Sequence, residues 1–100
     1  MWNTFDTIIH DLKELHQYVS DEDIFYHYLG DFDNNTWILS PFRPDEKAPS
    51  FRITYYKDRW VWTDFARDPK PKYAIDLVGE LYNLNHYDAI NKVYQDVYLN

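Results

Sequence analysis

The stretch from Ser50 to Thr63, SFRITYYKDRWVWT, decides the fold of this chain. Phe51, Ile53 and Tyr55 alternate with Arg52, Thr54 and Tyr56, and Trp60 and Trp62 alternate with Arg59, Val61 and Thr63. A period of two sends successive side chains to opposite faces of a strand. Lys57 and Asp58, between the two runs, are the right length for a tight hairpin, although without glycine the turn type stays open. The reading is a β-hairpin over residues 50–63 that carries a basic, aromatic-rich surface.

On the N-terminal side, TWIL (Thr36–Leu39) reads as a short strand after the turn cluster DFDNN. Between it and the hairpin lies a loop with three prolines, Ser40 to Pro49. Further back, Phe5, Ile8, Ile9, Leu12, Leu15 and Val19 recur at spacings of three and four. This predicts a helix from Thr4 to about Val19, capped by Thr4. Ser20 followed by three acids, and closed by Gly30, predicts a second helix over residues 21–29 with an αL stop.

On the C-terminal side, ARDPKPK reads as a second loop, stiffened by Pro69 and Pro71. Ile75, Leu77, Val78 and Leu81 place a helix from Tyr73 to about Leu84. Asn85, with Asp88 three residues on, caps a last helix running through Ala89, Ile90, Val93, Tyr94 and Val97. The fold class is α+β: a small antiparallel sheet packed with about four short helices, in a single domain 1–100. Within it, residues 1–35 are helical, 36–72 form the sheet and 73–100 the closing helices.

A chain of 100 residues without cysteine has neither disulfides nor a thiolate zinc cage. Twenty aromatic residues offer a substitute, because each large ring can bury roughly 150–250 Å². The acid-broken N-terminus is not a signal peptide, and no apolar run approaches the roughly 20 residues that span a bilayer. The expected location is the cytoplasm, the host's if the chain is phage-encoded, with no membrane partner.

The net charge of −7 argues against a nucleic-acid partner, but its distribution argues for one. Residues 1–40 and 73–100 are acidic, while residues 41–72 hold eight of the ten bases against five acids. These bases are Arg43, Lys47, Arg52, Lys57, Arg59, Arg67, Lys70 and Lys72. They could follow a phosphate backbone, with Tyr56, Trp60 and Trp62 stacking on bases. The competing reading is a solvated strand face over a tryptophan core.

From Ser40 onward the chain resembles the Cys-His-Cys-Cys zinc ribbon at the N-terminus of bacterial and phage-type DNA primases. That family runs Cys-Pro-Phe-His, charged residues, Pro-Ser-Phe, a hairpin, a Cys-x-x-Cys knuckle, then a helix opening on an Asp-Leu-Val type motif. Here the counterparts are SPFR, DEKAPSFRI, the hairpin, WTDFARDPKPK and YAIDLVGELYNLNHYDAINKV, covering about residues 38–94. The ligand positions correspond to Ser40, Arg43, Thr63 and Ala66, none of which can build a tetrahedral zinc site. The resemblance is thus to a degenerate form that lacks all the zinc ligands, with no metal and no cofactor. It implies that Phe42, Phe51, Trp60, Trp62 and Phe65, with a contact from Arg43 to Asp64 or Asp68, hold the knuckles instead.

The resemblance further implies single-stranded template binding in DNA replication, beside a primase catalytic domain or a replicative helicase. No catalytic constellation is legible, since the chain has two glycines and no phosphate loop. Any role in an enzyme is therefore accessory. A DFDNNT run begins like a calcium loop but has Thr36 where glycine is required and Phe42 where the bidentate Glu belongs. The alternative function is a protein-interaction or inhibitor module that docks a replication protein through its acidic helices.

Overall fold

The computed structural model of the protein describes residues 8–100. It is an α+β domain with a four-stranded antiparallel sheet, in which β1 (Thr36–Ile38), β2 (Phe51–Tyr56), β3 (Arg59–Asp64) and β4 (Asp68–Tyr73) lie in chain order. Four helices accompany it: α1 (Leu12–Leu15), α2 (Asp21–Leu29), α3 (Ala74–Tyr82) and α4 (His86–Val93). A π-helical turn, Tyr94–Tyr98, extends α4.

The hairpin forms as its alternation dictates. Phe51, Ile53 and Tyr55 pair with Asp64, Trp62 and Trp60, and Arg52, Thr54 and Tyr56 pair with Thr63, Val61 and Arg59. The first set belongs to the face covered by the helices, where Phe51, Ile53 and Trp62 join Ile24, Phe25, Leu77, Val78 and Ile90 in one core. Lys57 and Asp58 both take positive φ, 50° and 64°, which is the signature of a type I′ turn. That geometry matches the strand twist, and here it forms without the glycine that usually makes it easy.

Two expectations are corrected. ARDPKPK is not a loop, because Asp68–Tyr73 is a strand paired with β3 through Val61↔Tyr73, Trp62↔Lys72 and Asp64↔Asp68. Proline cannot donate to a ladder, but on an edge strand alternate N–H positions face solvent and need no partner. Pro69 and Pro71 share one parity, so they protect this edge from further pairing. The register shift between Trp62 and Asp64 takes up the extra residues of β4.

The first helix is also shorter than its periodicity predicts. Helix is confined to Leu12–Leu15 among the described residues, and its cap is Asp11, whose carboxylate accepts the Glu14 N–H at 2.8 Å. The proposed Thr4 cap lies outside the described residues. Ile9 is not helical because its backbone is held elsewhere. Its N–H donates to the Asn91 side chain at 2.9 Å, and the Asn91 amide returns a bond to the Ile9 carbonyl at 2.8 Å. This two-point clamp ties the N-terminal segment to α4.

The Ser20 and Asn85 caps act as read, while the αL stop expected at Gly30 is corrected. Ser20 and Asp23 exchange side-chain and backbone bonds at 3.0 Å in a capping box at the start of α2. Gly30 ends the helix with φ 89° and ψ −163°, a conformation open to glycine but outside the αL region. Asn85 caps α4, accepting the Asp88 N–H at 2.8 Å. Among the described residues no helix is long and apolar enough to cross a membrane.

Candidate nucleic-acid interface

Two clusters occupy the sheet. The first joins the Ser40 loop to the end of β3, where the resemblance would put a metal. Ser40 is buried, and its N–H donates to Glu46 at 2.7 Å while its hydroxyl accepts the Phe42 N–H at 3.1 Å. Arg43 then reaches across to Asp64 with two bonds, Nη1–Oδ2 at 3.0 Å and Nη2–Oδ1 at 2.5 Å. The same guanidinium bonds the Ser50 hydroxyl at 2.9 Å and Glu46 at 3.3 Å. Arg67 adds a second cation 3.3 Å from Asp64.

Burial of Asp64 opposes its ionisation, but the hydrogen bonds and charge of Arg43, the Ala66 N–H and Arg67 outweigh it, and the carboxyl sits below its ordinary range. Glu46 is also held low, chiefly by the Ser40 N–H and the Ser50 hydroxyl, with Arg43 assisting. Of the two acids offered to Arg43, the structure selects Asp64. Beneath the network Trp62 stacks on Phe51, with centroids 5.2 Å apart and planes 9° apart, and Phe42 lies 5.8 Å from Trp62. Ion pairs above and rings below join the two knuckles.

The second cluster lies on the face turned away from the helices. Register brings Trp37, Arg52 and Thr63 into one row, with Thr54, Val61 and Tyr73 in the next. The Trp37 ring stacks on Phe65 at 5.3 Å. The Arg52 guanidinium carbon lies 5.3 Å from the Trp37 centroid and 5.1 Å from that of Phe65, against both rings at once. Trp37 and Phe65 are 49% and 42% exposed, far too open for core residues. Beside Arg52 a hollow of about 320 Å³ is bounded by Thr54, Tyr56, Val61, Thr63 and Pro71. No residue that register places on this face is acidic.

The eight bases divide evenly. Arg43, Arg59, Arg67 and Lys72 are held by carboxylates: Arg43 by Asp64, Arg59 by Asp21 at 2.8 Å, and both Arg67 and Lys72 by Glu80. Lys47, Arg52, Lys57 and Lys70 have no carboxylate partner among the described residues, and Lys57 rests over Tyr56 at 5.3 Å. The stacking candidates divide as well. Tyr56 is 52% exposed on the outer face. Trp60 is half-buried on the inner face, edge-on to Phe32 at 5.1 Å. Trp62 is 1% exposed and offers no face to a base; its indole N–H donates to the Tyr73 carbonyl at 2.8 Å. Alternation pointed Trp62 along with Trp60, and the side of the sheet that the helices cover decided its role.

Trp37 did not stand out in the sequence, and Phe65, expected among the rings that hold the knuckles, instead lies exposed against Trp37. Their neighbourhood depends on the register of β1 on β2 and on the chain's course after β3, where the Phe65 N–H donates to the Ser50 carbonyl at 2.9 Å. The usable signal was Trp37 in a three-residue strand, at a position opposite an arginine of the hairpin. Among the described residues no group of three or more His, Asp or Glu side chains is placed to hold a metal ion. No protein-family model matches the chain, and comparisons with characterised proteins and with solved structures give no significant match.

Proposed function

We propose that the chain is a non-catalytic module that binds single-stranded DNA in replication, as the template-contacting part of a phage-type primase system. The observation that carries this reading is the outer sheet face. It combines exposed rings (Trp37, Phe65, Tyr56) with cations that have no carboxylate partner among the described residues (Arg52, Lys57) and has no acid among its paired residues. Rings stack on bases of any sequence, each for about 1–3 kcal/mol, and cations follow the phosphates. The likeness of residues 38–94 to the primase ribbon supports the replication context. Four free bases set a modest electrostatic share, a slope of about −3 in log affinity against log salt if all four touch phosphate.

Fluorescence anisotropy with a labelled single strand tests this. Binding at low salt that weakens with added salt, and that is lost in an Arg52→Glu, Lys57→Glu double variant of unchanged melting temperature, is the expected result. No binding at low salt overturns the reading.

One observation favours the protein-docking alternative. Half of the basic cluster is already neutralised by Asp21, Asp64 and Glu80, while Glu22 and Asp23 of the first turn of α2 have no basic partner among the described residues. Under that reading, capture of a helicase or polymerase is abolished by reversing Glu22 and Asp23, and the outer-face variant captures normally.

A further inference from the structure

We infer that the hollow beside Arg52 is a base-reading site that selects guanine, an inference that rests on the single-strand reading above. Two features point to a base and not to a phosphate. The wall is partly apolar, with buried Val61 behind exposed Pro71. A phosphate would lose hydration against such a wall without return, whereas a base brings an apolar face to it. The hollow, about 320 Å³, has room for one base and not for a stacked run.

The arginine supplies the selectivity. Its guanidinium lies against both Trp37 and Phe65. Its Nε is buried without a hydrogen-bond partner among the described residues. A planar fork with two free N–H groups matches two adjacent acceptors in one plane. Guanine presents such a pair, O6 and N7. Adenine pairs N7 with a donor, and the two carbonyls of thymine flank an N–H. Cytosine has adjacent acceptors on its pairing edge, but the smaller ring covers less of the Val61–Pro71 wall. The hydroxyl of Thr54, a half-buried residue of the lining, can then bond the remaining edge of the base.

The test uses the whole chain and a set of labelled strands: all-thymidine, then the same strand with one central guanine, hypoxanthine, 7-deazaguanine, adenine or cytosine. Guanine and hypoxanthine, which share O6 and N7, should bind about tenfold tighter than thymidine alone. Adenine, cytosine and 7-deazaguanine, which lacks N7, should fall to the thymidine level. Arg52→Lys should remove the difference between strands, and since the base analogues are read on the unaltered protein, the test survives a variant that folds poorly. Equal affinity for every strand overturns the guanine inference and leaves single-strand binding standing. A preference for cytosine, or one that follows a terminal phosphate, overturns it likewise. Failure to bind any strand overturns both.

Discussion

Arg43 and Asp64 stand 21 residues apart in the chain and meet in a two-pronged ion pair, with Asp64 almost wholly buried and Arg43 part-exposed. The pair closes the loop before β2 onto the end of β3, and Ser50 and Glu46 satisfy the rest of the guanidinium. Breaking such a pair from one side is costly because it strands a buried charge. Arg43→Ala should therefore lower the melting temperature by about 10 °C or more in thermal unfolding followed by circular dichroism. Arg43→Lys keeps the charge but loses the fork, and should fall between the two. An unchanged melting temperature in Arg43→Ala would remove the network from any account of the fold.

The same network sets an acid limit. Asp64 and Glu46 both titrate below their ordinary values in the folded protein. A depressed folded pKa adds stability above the unfolded value, about 4 for these acids, and that stability disappears as pH falls through the folded values. Urea midpoints should be level near neutrality and should drop below about pH 4. In Arg43→Ala the drop should be shallower, because the depression of Asp64 depends on that cation.

The hairpin turn carries avoidable strain. Lys57 and Asp58 both sit at positive φ, where a side chain costs roughly 1 kcal/mol or more that glycine does not pay. Asn at 57 and Gly at 58 suit the type I′ turn. The double variant Lys57→Asn, Asp58→Gly should gain about 1 kcal/mol, roughly 5 °C in melting temperature. It also removes one of the free cations, so its affinity for a single strand should fall modestly.

Two tryptophans should separate stability from binding. Trp62→Ala empties the core beside Phe51 and should cost about 3–5 kcal/mol. Trp37→Ala removes a half-exposed ring and should change stability little, yet weaken single-strand binding about fivefold or more if a base stacks there. Equal affinity in Trp37→Ala and the natural protein would move the binding surface away from β1.

Much of the fold could be read from short-range chemistry. The period of two in residues 51–56 and 59–64, the Ser20 and Asn85 caps and the apolar spacing of α3 each act within a few residues, where local bonds and periodicity decide. The misread segments are those where a distant partner wins. Ile8 to His10 continue a helical pattern, but the Asn91 side chain takes the backbone groups of Ile9, 82 residues away. DPKPK has loop composition, but an open β3 edge needs a partner and tolerates prolines on its outer side.

The candidate site divides along the same line. Its residue types were evident in the sequence: arginines and lysines gathered in one third of the chain and interleaved with rings. Which cations remain available was a tertiary decision, because Asp21 and Glu80 arrive from α2 and α3 to neutralise Arg59, Arg67 and Lys72. Which tryptophan faces solvent was decided the same way, by the side of the sheet on which the helices pack. By itself the chain determined the first three strands, the Ser20 and Asn85 caps and the absence of any cysteine-based staple. Packing decided that Arg43 takes Asp64 and not Asp68, and that Arg52 has no carboxylate partner among the described residues, because a charge is spent or spared by partners that sequence distance does not reveal.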